Sequence, residues 1–263
     1  MGEAPQLGPP WADLVFHVLA HVEATSALPS SLYDPVYVAF AARHAGAATN
    51  RSLADDAAAI GRVVTTHDEL ARLQWVAYLF DDVADARAVA RCDLGELSVQ
   101  DVADPRALHE STKMDAVAEA LRAAAELEAT YHAALPTAVQ DPTLGSWLAR
   151  AAVAAPRLET LRVQSLRALG LRGRVVAPAI WVGVPSLDLD VSAEHVALQA
   201  AHEATVVEVY ERAVANDEPL GERDIEDAAL NLLSERARKT GLAEHHENWL
   251  RRCERASMRP TPP

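Results

Sequence analysis

Residues 192–210 read Ser192-Ala193-Glu194-His195-Val196-Ala197-Leu198-Gln199-Ala200-Ala201-His202-Glu203-Ala204-Thr205-Val206-Val207-Glu208-Val209-Tyr210. No proline or glycine interrupts the stretch, alanine dominates it, and apolar residues recur at three and four, so it forms a helix capped by Ser192. At about 100° per residue His195 and His202 lie about 20° apart, with Leu198, Val206 and Val209 within about 40° of one or the other. Both imidazoles therefore fall in the apolar stripe, and Gln199, Glu203 and Tyr210 form a polar band at its edge.

The same periodicity extends outward in both directions and makes the chain mainly α. Helices are expected over 11–23, after Asp34-Pro35, from about 50, from 66 through Phe80 or as far as Arg91 behind the Thr66/Glu69 capping box, over 114–135, 143–155 and 156–169, then from Ser192 to about 215, with two more reaching about 255. The count is about nine or ten, in an irregular multi-helix bundle. One segment departs from it. Over 172–184, Val175-Val176 and Ile180-Trp181-Val182 flank Ala177-Pro178-Ala179, and β-branched and aromatic residues replace the helix formers. A short β-hairpin is expected there, with Pro178 in its turn or at an edge because proline cannot donate to a ladder. The polar stretch 98–112, carrying Pro105, is the best internal boundary. It divides an N-terminal helical layer, 1–98, from a C-terminal helical region with the hairpin, 113–257, unless the two form one continuous domain.

Composition narrows the function classes. The chain has 263 residues, half of them hydrophobic, enough to bury a core and unlike a disordered or collagen-like chain. Its 38 acidic and 24 basic residues give a net charge of -14, which opposes binding to nucleic acid or an anionic membrane surface. Cys92 and Cys253 lie far apart without ligand spacing, which fits a reducing cytoplasm rather than a disulfide scaffold. The first apolar run is broken by Asp13, His17, His21 and Glu23, so neither a signal peptide nor a membrane span is expected. Lys113 and Lys239 are the only lysines, and arginine in an alanine-rich chain points to a GC-rich bacterial genome.

Within 192–210, a neutral imidazole binds a metal or accepts a proton, and a neighbouring carboxylate fixes its tautomer. His195, His202 and Glu203 are the catalytic candidates. His17 and His21, at the i, i+4 spacing that lets two rings meet one ion, join His195 and His202 as candidate metal ligands. A divalent transition metal is the cofactor such a site would take. His202-Glu203 begins the zinc-protease pattern H-E-x-x-H, but Val206 stands at the second histidine. His245-His246, between Glu244 and Glu247, reads as an exposed charged helix. Tyr33, Tyr37 and Phe40 form an aromatic patch that, with Trp181 of the hairpin, suits a peptide-binding groove.

Asp81-Asp82-Val83-Ala84-Asp85 resembles the aspartate-rich D-D-x-x-D motif of class I terpenoid synthases, which implies magnesium held against a diphosphate. That family's second metal motif begins at Asn216-Asp217 but has Leu220 for serine and Asp224 for glutamate. The three aspartates also lie opposite Val76, Phe80 and Val83, as a solvated helix face does. Nucleophile-elbow, phosphate-loop and dinucleotide motifs are absent. Two readings follow. The first is a helical binding or accessory protein, peptide-binding or a subunit of a biosynthetic enzyme complex, with homodimerisation compatible with its alanine-rich helices. The second is a metal-dependent or acid-base enzyme with a histidine-lined site inside the bundle.

Overall fold

Alanine lets helices approach closely, and the helix built on residues 192–210 uses it on every side. The computed structural model describes residues 6–7, 12, 16–17, 19–20, 35–45, 142–166, 173–176, 179–183, 191–219 and 221–257. Their elements are β1 (Gln6–Leu7), α1 (Pro35–Ala45), α2 (Leu144–Ala154), a 3-10 helix (Pro156–Thr160), β2 (Arg162–Leu166), β3 (Gly173–Val176), β4 (Ala179–Gly183), α3 (Ala193–Ala215), α4 (Glu222–Lys239) and α5 (Ala243–Ser257). The chain divides into two compact units, one of residues 1–7 and 138–260, the other of 8–137 and 261–263.

In the first unit α3 is the central element, touching α2, the 3-10 helix, β3, β4, α4 and α5. Every residue from Val196 to Thr205 is buried. The expected polar edge of this helix is therefore absent over these turns: Gln199, His202 and Glu203 are inside, and only Tyr210, 56% exposed, reaches solvent. A helix buried all round needs small residues, and Ala197, Ala200, Ala201 and Ala204 supply them. α4 adds Ala229, Leu233 and Ala237 at i, i+4 spacing, and α5 adds Trp249.

Both long helices stop by the same device. After α3, Asp217 takes φ 56°, and the Glu218 amide donates to the Ala213 carbonyl at 2.9 Å. After α4, Gly241 takes φ 74°, and the Leu242 amide donates to Ala237 at 2.8 Å. Each is a left-handed cap returning the chain onto its own last turn.

The sheet order is β1-β2-β4-β3. β2 runs parallel to both β1 and β4, with Val163 opposite Ile180, and β3 runs antiparallel to β4, with Val175 opposite Ile180. β4 lies between two strands and all five of its residues are buried.

The expected fold class is corrected in its helix count: among the described residues there are five α-helices, not about nine or ten. The hairpin expected near 172–184 is present as the antiparallel pair β3–β4, and it forms one side of a four-stranded sheet. Part of the difference is residues 156–169, expected as a helix. They form one 3-10 turn after Pro156 and then β2, because the backbone of β4 offers a ladder and because Leu161 and Val163, two apart, both pack on the core. The helices expected from 50 to 135 and the boundary at 98–112 lie outside the described residues. Among the described residues no helix is long and apolar enough to cross a membrane.

In the second unit, residues 12, 16, 17, 19 and 20 are helical and fully buried. Tyr37 of α1 is fully buried too, its ring 5.8 Å from those of His17 and Phe40.

Candidate functional site

The densest polar cluster of the described core lies where α3 meets α4 and α5. Gln199 and Glu203 are one turn apart on α3, and Gln199 Nε2 donates to Glu203 Oε1 at 2.9 Å. The same amide's oxygen accepts the Trp249 indole N–H at 3.3 Å. Cys253 Sγ, one turn further along α5, lies 4.0 Å from that oxygen. Gln199 thus joins α3 to α5 through a fixed amide orientation.

Glu203 occupies space that β3 leaves open. A Cβ at Gly173 would stand 2.2 Å from Glu203 Cγ and 2.6 Å from its Oε1, so glycine is required for the carboxylate to lie against the strand.

His202 Nε2 lies 2.9 Å from Glu226 Oε2 of α4. A carboxylate only accepts, so the ring proton is placed on Nε2. Nδ1 is buried with no hydrogen-bond partner. The bond to His202 holds the Glu226 carboxyl below its usual range, partly opposed by burial. His202 also rests on Trp249, ring centres 5.5 Å apart, and His246 flanks the same indole at 5.3 Å. His246 is 3% exposed and its Nε2 has no hydrogen-bond partner. Burial, then the nearness of His202, push its pKa down; Arg238 adds to this and Glu247 opposes it.

His246 is the residue that sequence reasoning missed. An exposed charged helix was expected around it, yet Leu242, His246, Trp249 and Cys253, spaced four, three and four, form the face that α5 turns inward. That period was the available signal, hidden by the charged residues around the histidine pair. His245 points elsewhere, 3.0 Å from Glu194 and against the Trp147 ring at 4.9 Å.

The structure separates the other candidates. His195 completes the cap of α3: the Ser192 backbone N–H donates to its Nδ1 at 3.1 Å, and Ser192 Oγ lies 3.0 Å from the same nitrogen. A backbone N–H only donates, so Nδ1 is the acceptor and the neutral ring carries its proton on Nε2. His195 also borders an open depression of about 700 Å³ with Glu194, Asn248, Arg251 and Glu254. Seven residues on, His202 stands roughly 10 Å further along the helix, at about 1.5 Å per residue. Sharing a face is not sharing a site. His17 is in the other unit, its Nδ1 2.8 Å from Tyr37 Oη. Tyr37 and Trp181 are both buried, in different units. His21, Tyr33 and the 81–85 aspartates lie outside the described residues. Among the described residues no three His, Cys, Asp or Glu side chains form a group able to hold a metal ion.

No protein-family model, curated protein or solved structure matches the chain.

Proposed function

We propose that this chain is a helical binding or accessory protein that works beside a protein or peptide partner in a reducing cytoplasm, without a nucleic-acid or membrane ligand. One observation carries the reading: each catalytic candidate on α3 is committed to a partner that builds the fold. His195 closes the helix cap, Glu203 lies against Gly173 and bonds Gln199, and His202 bonds Glu226. The net charge of -14 supports the absence of a nucleic-acid or anionic-membrane ligand.

A second reading, a metal-dependent or acid-base enzyme, has His202 Nδ1 on its side, since a buried nitrogen without a partner is what a ligand would occupy. It ranks behind because the nearest carboxylate already bonds the other ring nitrogen.

Elemental analysis of the untagged protein and of His202→Gln, each beside its melting temperature, separates the two. The binding reading expects no stoichiometric transition metal in either and a lower melting temperature in the variant. Near-stoichiometric metal in the parent, lost from a variant that melts unchanged, would establish the enzyme reading instead. Cross-linking in the native cell should then join the chain to a partner at constant ratio, and cross-links confined to the chain itself would count against an accessory role.

A further inference from the structure

Two histidines flank one tryptophan across the α3–α5 contact, and each keeps one ring nitrogen buried without a hydrogen-bond partner. His202 approaches Trp249 from α3 and His246 from α5 itself, with ring centres 5.5 and 5.3 Å from the indole. The indole N–H is the hydrogen bond that fastens α5 to Gln199. His202 Nδ1 and His246 Nε2 are both buried without a partner. A proton added at His246 Nε2 would place an unpaired N–H of a cation inside the contact, which costs far more than leaving a neutral nitrogen there.

We propose that this contact is an acid-released latch: protonation of His246, beside His202, frees α5 from α3 while α3, α4 and the sheet stay folded. The proposal does not depend on the partner reading.

The groups facing His246 set the direction. From α3 comes His202; from α4 come Arg238 and, through His202, Glu226; on α5 itself Glu247 is the one neighbour favouring the proton. Burial, His202 and Arg238 together outweigh Glu247, so the folded ring titrates below its ordinary value of about 6.5. The sign follows. A histidine depressed in the folded state contributes stability above its unfolded pKa, and that stability is lost as pH falls below about 6.5 towards the folded value. The lost stability falls on α5 because this helix touches only α3 and α4 among the major contacts, whereas α3 is held on six sides.

Hydrogen exchange read by mass spectrometry on the full chain, at pH 7.5 and about 5.5 and corrected for the intrinsic rate, tests this above the range where glutamates titrate. Amides of 243–257 should lose protection at the lower pH, by at most about tenfold because pH 5.5 lies one unit below the ordinary histidine value, while those of 193–215 and 222–239 change little. His246→Phe keeps a ring against Trp249 without a titrating nitrogen, and it should hold 243–257 closed at both pH values, as should His246→Gln. Equal protection of 243–257 at both pH values in the parent would overturn the latch. So would loss spread evenly over all three helices, or loss unchanged in a folded His246 variant. If neither variant folds, the comparison of the three helices in the parent decides.

Discussion

Gly173 and Glu203 compete for one volume, and the competition can be measured. In Gly173→Ala the new methyl would meet Glu203 Cγ at 2.2 Å, and strand or carboxylate must shift. Overpacking of this kind costs about 1–3 kcal/mol, read as a lower urea midpoint. In a Glu203→Ala background the same change should cost clearly less, because the atoms it strikes are gone. The pair was half legible in the sequence. Glu203 stood out as a carboxylate beside the α3 histidines, but a lone glycine in a β-rich stretch does not announce which side chain rests against it. Of the two histidines of α3, His195 is only half-buried at the helix start, whereas His202 was legible as an inward residue, since angular position follows from spacing. Their roles were not, because a wheel discards the rise along the axis that separates the Ser192 cap from Glu226.

At the scale of the element, caps carry the testable content. His195 occupies the position of α3 where a capping box usually has Glu or Gln, so His195→Gln should nearly preserve stability. His195→Ala, which leaves the Ser192 N–H without its acceptor, should lower it by about 0.5–1 kcal/mol in thermal denaturation. At the end of α4, Gly241 with φ 74° permits the turn that delivers Leu242 to the core. Gly241→Ala should cost about 1 kcal/mol in the same measurement, and Gly241→Asn less. The ends of α2 and α3 were readable from Thr143, Ser192 and the Asn216-Asp217 pair, since caps are local. β2 was not: Arg162-Val163-Gln164-Ser165-Leu166 has acceptable helix formers, and only a partner strand outside the local window, β4, decides its state.

For the whole molecule, acid is the informative variable. Glu208 of α3 bonds both terminal nitrogens of Arg236 on α4, at 2.7 and 2.8 Å, and also bonds Arg212. The Arg236 bond holds its carboxyl below the usual range. Carboxylates depressed in the folded state, here Glu208 and Glu226, contribute stability above about pH 4.5 that is lost as pH falls through their folded values. The melting temperature should therefore fall in two stages, first below about pH 6.5 through His246 and again below about 4.5. Glu208→Gln should shrink the second stage and leave the first. A single stage that ignores both Glu208→Gln and His246→Phe would contradict the assignment. Composition foretold the excess of acid, whereas which carboxylates carry stability depends on arginines a helix away.

β1 is two residues long, yet it reorders the history of the chain. It pairs with β2 across everything from residue 8 to residue 137, while β2, β3 and β4 lie within twenty-odd positions of one another. On a ribosome Gln6 and Leu7 leave the exit tunnel well before Arg162–Leu166, and their neighbour in the finished sheet is not made until the intervening unit has been translated. A strand made early thus waits for a seam that closes late.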